Sequence, residues 1–577
     1  MRRSKLFLAA LAVPLVGGIT AVAAPTAAAQ PQLAGPATEF TVLAAEGQSV
    51  GAAEQAVREA GGTVLRSNTA VGLITATAPA SGFAERMAAA PEVFGAAQAR
   101  PIGKAPTKKA APDPDKVEKE HHRAAPGHAR SGRKPAEPVG TDPLDDKLWG
   151  LKSTRSDLAR NKQPGDRRVK VGVIDTGVDG SHPDIAPNFD AAASRNFTRD
   201  IPADENGTEV DGPCEFRGCV DPADHDGNGH GTHVAGTIAA AADGFGVSGV
   251  APKVSLVNIR AGQDSGYFFL QPAVDAITYA GDAGIDVVNM SFYIDPWLYN
   301  CTSNPADTPE QQRAQRTTIA AVNRALGYAH RKGVTLVASL GNSHIDLGDP
   351  PPDSSSPNFP AGNEHDRDID NDSCVTLPIE GSHVLGVGSF GPSQAKADYS
   401  NYGEEQISVS APGGYYRDFF GTDWFRTNEN LILSAYPRNI AVAEGAVDED
   451  GNVTPEGEEL GVQKATAPDG RVGYYQYLQG TSMASPHASG VAALIVSEYG
   501  KWRRGGFGLA PNAVQRVLEG TAAEIPCPVP RTVDYLDEGR DESYTATCTG
   551  NPEFNGFYGN GAVDAYSAVT RGARYLR

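Results

Sequence analysis

The sequence predicts an α/β protein: an open, mostly parallel sheet with helices on both faces, preceded by a small α+β unit. Three observations carry this. Val-rich runs recur from about residue 145 onward, namely "RVKVGVID", "KVSLVNI", "IDVVNMSF", "VTLVASLG" and "HVLGVGS". Continuous apolar strands of this kind are buried on both faces of a parallel sheet. Helical stretches such as "QPAVDAITYAGDAG" and "QQRAQRTTIAAVNRALGYAHRKG" separate them, which is the alternation of an α/β sheet. Ahead of them, residues 38–100 alternate short strands ("EFTVLA", "GGTVLRS", "GLITATA") with helix-like pieces ("GAAEQAVREAG", "SGFAERMAAA"), the pattern of a separate α+β unit.

"MRRSK" is a short basic start, "LFLAALAVPLVGGITAVAA" an apolar run, and "TAAAQ" offers small residues for cleavage after Ala29. Residues 1–29 therefore read as an export signal; Pro14 and the paired glycines argue against a membrane span. No other stretch approaches the ~20 apolar residues a span needs, so the mature protein is expected to be soluble and secreted. Residues 101–144, rich in Ala, Pro, Lys and His without periodicity, read as a basic linker with too little apolar surface to fold. Residues 145–577 form the main domain. Within it, 343–375 and 414–470 are long and polar and read as surface insertions, one or both bordering a cleft.

The 577 residues carry a formal charge of −20. Residues 1–140 hold 16 Lys+Arg and 11 Asp+Glu, so the remainder carries −25. A body this acidic is a poor nucleic-acid binder. Six cysteines in an exported chain suggest disulfides, with roughly 15 pairings open. Proximity favours Cys214 with Cys219 and Cys527 with Cys548, leaving Cys301 with Cys374. "CEFRGC" as a metal loop is the alternative.

Three clusters could carry chemistry. "VIDTGVDGSHPD" ends an apolar strand in Asp175, and open α/β sheets hold their sites beyond the carboxyl ends of strands. An aspartic-protease reading needs a second carboxylate loop, for which only Asp264 in "GQDSGYF" offers itself. "DHDGNGHGTHVAGTIAAA" holds His225, His230 and His233, which invite a zinc reading. Its glycines and a helix beginning around Thr232–His233 suit it better to presenting His230 into a cleft. In "YLQGTSMASPHASGVAALIV", Pro486 fits only a first helical turn. That puts Ser482 at a helix N-terminus, where the dipole and free N–H groups favour developing negative charge. Ser482 as a plain cap is the alternative.

With the clusters in this order, the sequence resembles the subtilisin-like serine proteases. "VIDTGVDGSHPD", "GHGTHVAGTIAA", "VASLGN" and "GTSMASPHASGVAAL" match the family's Asp, His, oxyanion-Asn and Ser motifs, and the resemblance covers roughly 145–575. It implies a subtilisin-like three-layer fold and a secreted serine endopeptidase acting on proteins or peptides. It also implies roles. Ser482 is the nucleophile, His230 the general base and then acid, Asp175 the residue that orients the imidazole, and Asn342 an oxyanion donor. Ser291 and Gly341 are the substrate-binding positions. Phe292, Tyr293 and Leu340, bulkier than is usual there, are expected to narrow the pockets.

No catalytic cofactor is implied. A structural calcium is, through Asp184 in "HPD" and Asp243 in "AADGFGV", a mix of oxygen ligands that suits the ion. The unit at 38–100 resembles the family's propeptide, an intramolecular inhibitor removed by a cut within 130–145. The rival readings are a catalytically inactive binding protein and a zinc hydrolase.

Overall fold

The computed structural model describes residues 37–99, 115–123, 142–204, 206–360, 362–503 and 506–576; the signal segment 1–29 lies outside them. At its centre is a seven-stranded sheet in the order Ile407–Pro412, Val384–Phe390, Thr335–Ser339, Val287–Met290, Lys170–Ile174, Ser255–Arg260, Arg195–Asn196. Every neighbouring pair is parallel.

Alternation along the strands divides the apolar residues between two cores. Val171, Val173, Leu256, Val287, Val337 and Val387 point to one face, packing on Val234, Ile238, Val491 and Ile495 of the helices His230–Ala239 and Thr481–Tyr499. Ile174, Val257, Ile259, Val288, Leu336 and Ala338 point to the other, against Val274, Ile277, Val322 and Leu326 of the helices Leu270–Asp282 and Pro309–Lys332. The period of two in an extended strand produces this division. Both faces are covered, so the fold has three layers.

The long helix Pro309–Lys332 begins in a reciprocal cap. Thr308 Oγ1 accepts from Gln311 N at 3.2 Å, and Gln311 Oε1 accepts from Thr308 N at 2.8 Å. It ends at Gly333, whose φ of +107° favours glycine.

Residues 37–98 form a four-stranded antiparallel sheet with two helices and a core of their own. The unit sits on the outer helices of the central sheet. Asn68 Nδ2 donates to Asp275 Oδ1 (2.8 Å) and Thr278 Oγ1 (2.7 Å), Thr75 Oγ1 to Gln271 Oε1 (2.9 Å), and Arg324 Nη1 to the Ala44 carbonyl (2.8 Å).

Two stretches depart from the sequence reading. Within 414–470, Ile432–Tyr436 is a fully buried strand, paired antiparallel with Val472–Leu478 and packed against the His230 helix. Its five residues are too few to announce themselves in a polar context; the pairing across 40 residues makes the strand. Within the linker, residues 115–123 form two short helical turns lying against the main domain. The disulfides are Cys214–Cys219, Cys301–Cys374 and Cys527–Cys548. Among the described residues, no helix is long and apolar enough to cross a membrane.

Candidate active site

Asp175 directly follows the strand Lys170–Ile174 and is fully buried. Its Oδ1 accepts from Thr176 N at 2.8 Å and lies 2.7 Å from His230 Nδ1. Burial pushes the carboxyl up, and His230 draws it back down. His230 is the first residue of its helix, two or three residues earlier than the sequence suggested. The reason is Asp226, which sequence reasoning missed. Its buried carboxylate accepts from Asn228 N (3.0 Å), Gly229 N (2.9 Å), Thr176 Oγ1 (3.2 Å), Thr232 N (3.0 Å) and Thr232 Oγ1 (2.6 Å). These include N–H groups that a helix start leaves without partners. Gly231 allows the approach to the Asp175 strand, since a Cβ there would collide with the Gly177 carbonyl.

Ser482 is the second residue of the helix Thr481–Tyr499, after Gly480 with φ +151°. Pro486 lies inside this helix rather than in its first turn. It cannot donate to the Ser482 carbonyl, and Ser291 Oγ supplies the missing bond at 3.2 Å. Ser291 Oγ also lies 2.8 Å from Ser485 Oγ, so this side chain braces the serine helix from below. Gly341, with φ +105°, leads the chain out of the strand Thr335–Ser339, and its N–H donates to Thr481 Oγ1 at 3.0 Å. Asn342 Oδ1 accepts from Thr481 N (2.9 Å) and Thr481 Oγ1 (2.8 Å), which fixes the amide and turns its Nδ2 toward Ser482's end of the helix.

The segment 115–123 fills this place. One Glu118 carboxylate oxygen, Oε2, lies 3.4 Å from His230 Nε2, while Oε1 accepts from Asn342 Nδ2 at 3.3 Å. Ser482 also hydrogen-bonds this carboxylate. The segment's backbone is held by Gln479, whose N–H donates to the Glu118 carbonyl (3.3 Å) and whose Nε2 donates to the Val117 carbonyl (2.9 Å). Burial alone would discharge both groups. Asp175 and Glu118 together nonetheless hold His230 well above 6.5, and His230 and Ser482 hold Glu118 below its ordinary value. "DKVEKEHHR" reads as a solvated charged run, and no local signal marks Glu118.

The other candidates go elsewhere. His233 is buried, its Nε2 3.0 Å from the Ile432 carbonyl, and burial lowers it to about 3. His225 packs edge-on to Phe216. The three histidines therefore do not share a ligand. Asp264 pairs with Arg260 at 2.8 Å, not with Asp175. Leu340 is buried in the core and does not narrow the cleft, because the strand it follows turns its side chain inward. Phe292 stacks on Phe268 at 4.1 Å, and Tyr293 Oη accepts from Asn358 at 2.8 Å.

For calcium, Asp184 fits: it is buried, and its Oδ2 accepts from Val247 N (2.9 Å) and Tyr475 Oη (2.7 Å). Its Oδ1 has no partner among the described residues. Burial raises its carboxyl to about 8. Asp243 instead pairs with Arg471 at 3.3 Å. Among the described residues, Asp200, Asp221 and Asp264 also come together, but around the buried guanidinium of Arg260.

A parallel sheet delivering an Asp–His pair to the N-terminus of a serine-bearing helix defines a serine peptidase. Residues 166–561 match the Subtilase family, peptidase S8, and the chain belongs to it. Subtilisin DY of Bacillus licheniformis is 28% identical over 381 residues, spanning 65% of this chain and 92% of that protein. Thermitase of Thermoactinomyces vulgaris is 25% identical over 379 residues, spanning 66% and 88%. Among solved structures, the epidermin leader peptide processing serine protease of Staphylococcus aureus shares the fold. Its TM-score is 0.58 at 20% identity, covering 93% of this chain and 98% of that one.

Proposed function

We propose that this serine endopeptidase is made as a secreted, self-processing precursor, with Ser482, His230 and Asp175 as its triad. Ser482 Oγ attacks the scissile carbonyl while His230 Nε2 takes its proton. Asp175 holds the other ring nitrogen and stabilises the imidazolium. The oxyanion is received by Asn342 Nδ2 and the Ser482 N–H. His230 then protonates the leaving amine, and water repeats the cycle on the acyl-enzyme. The observation that carries this is convergence: Ser482, His230 and Asn342 all reach a single carboxylate, that of Glu118.

In this reading residues 1–29 direct export, and 38–100 are a propeptide that inhibits the enzyme it precedes. Residues 115–123 keep the cleft filled until the chain is cut within 130–145. Seating of the 37–98 unit on the outer helices, and of Glu118 on His230, supports that role. A calcium ion held by Asp184 serves stability, and no cofactor enters the chemistry. The mature enzyme acts outside the cell on proteins or peptides.

The test is the intact mass of secreted wild type beside Ser482→Ala. A shortened wild type and a mutant retaining residues 30–140 are expected. Equal shortening of both, with no labelling of Ser482 by a serine-directed reagent, would sink the assignment.

A further inference from the structure

Glu120 is the second acidic side chain that the docked segment brings to the cleft, and its seat is more fully built than that of Glu118. Arg417 donates to Oε1 from Nε (3.0 Å) and Nη2 (2.5 Å). Arg540 Nη2 and Gln479 Nε2 donate to Oε2 at 2.8 and 3.2 Å. Four donors from three residues of the main domain thus enclose one carboxylate. Both guanidiniums are mostly buried, with 10% and 15% of their side chains exposed.

The seat is fixed from behind. Asp398, itself buried, accepts from Arg540 Nε and lies 3.7 Å from Arg417 Nε. The Glu538 carbonyl accepts from Arg417 Nη1. Gln479 Oε1 accepts from Tyr416 N at 2.7 Å, which aims its amide at the seat. Guanidiniums held this way lose little freedom on binding a carboxylate. Departure of Glu120 leaves the two positive guanidiniums without their shared acceptor, with Asp398 beside both and Glu538 near Arg417. The rest of the main domain is strongly acidic, so this charge is local and is not part of a general attraction for acidic chains.

The seat adjoins the reaction centre. Gln479 precedes Ser482 by three residues, and its own N–H donates to the main-chain carbonyl of Glu118. The same residue therefore reads the backbone of the bound segment and the side chain two positions further on. We infer that Arg417, Arg540 and Gln479 form a substrate subsite selecting a side-chain carboxylate, Asp or Glu, which Glu120 occupies in the uncut chain. This rests on the endopeptidase reading above.

The test is digestion of a peptide library by the processed enzyme, with the residues flanking each cut read by mass spectrometry. Asp and Glu are expected to be enriched at one position beside the cut bond. For a matched pair of peptides with Glu or Gln there, kcat/KM should differ by about 10- to 100-fold, the range for a charge-assisted hydrogen bond. In Arg540→Gln the Glu/Gln difference should shrink, read as the ratio of the two kcat/KM values within that variant. If that variant does not fold, the Glu/Gln pair on wild type decides alone. Cutting without acidic enrichment would overturn the subsite. Absence of any cutting, with Ser482 unreactive to a serine-directed probe, would overturn the endopeptidase reading instead.

Discussion

Glu118 Oε2 lies 3.4 Å from His230 Nε2 while Asp175 Oδ1 lies 2.7 Å from His230 Nδ1, so the imidazole is held between two carboxylates. A histidine protonated at both nitrogens cannot accept a proton from a serine. On the proposed reading the docked chain is at rest until Glu118 leaves. Glu118→Gln keeps the shape and deletes the charge. Docking should weaken by about 1.5–3 kcal/mol. Appearance of the shortened chain, followed by intact mass over time, should then accelerate roughly 10- to 100-fold. An unchanged rate would show that Glu118 does not restrain the enzyme.

The same pair sets a pH dependence. Docking raises His230, so its contribution is complete below the value the histidine has once Glu118 leaves. It is lost as pH rises through the docked value, which lies well above 6.5. Docking lowers Glu118, so that contribution is complete above its ordinary 4.5 and is lost as pH falls through the docked value. Segment 115–123 should therefore be held most tightly in the weakly acidic range and released as the solution becomes alkaline. Processing rates of wild type measured across pH should climb on the alkaline side, and Glu118→Gln should flatten that climb. A climb of equal size in both would assign it to another group.

What the sequence disclosed and what it concealed have physical causes. The junctions that hold Asp175, His230, Asn342 and Ser482 are legible because they are written in adjacent residues: Asp175 and Asn342 come just after apolar strands, and His230 and Ser482 stand in the first turn of helices that follow a glycine. The Val-rich strands were legible because both faces of a parallel sheet are apolar. Glu118 was hidden because its partner Asn342 is 224 residues away, and nothing local distinguishes it from a solvated glutamate. Ile432–Tyr436 was hidden for a similar reason: its partner strand, not its own composition, makes it extended. The early start at His230 depends on Asp226, whose bonds to Asn228, Gly229 and Thr232 look in sequence like an ordinary acidic turn.

Asn342 is fixed through its oxygen by Thr481, and its nitrogen donates to Glu118, which occupies the place of the oxyanion in the proposed reading. Asn342→Ala should lower kcat by roughly 10²–10³-fold, the range found when such an amide is removed from a subtilisin, and leave KM little changed. Steady-state kinetics on a short peptide checks this. A loss confined to KM would make the residue a ground-state contact.

Asp226→Ala removes five acceptor contacts from a buried helix start. Loss of the cap and of partners for its donors should cost about 2–4 kcal/mol, read as a lower denaturant midpoint. Activity should fall as well, because His230 begins that helix. Asp226→Asn should recover part of both. Full stability in the alanine variant would mean that the helix start finds other acceptors.

Asp184 supplies the test of the calcium proposal. Its Oδ1 is buried among neighbours that offer it nothing, a costly arrangement unless a cation completes it. An ion bound at about a hundred times its dissociation constant stabilises a fold by about 2.7 kcal/mol, several degrees in Tm for a domain of this size. A chelator should therefore lower the wild-type Tm, and added calcium should restore it. Asp184→Asn should start lower and respond to neither. Peptide hydrolysis below the melting range should survive chelation, since no metal takes part in the proposed acyl transfer. A wild-type Tm indifferent to chelator would leave Asp184 a protonated, hydrogen-bonded core residue, as its raised carboxyl allows.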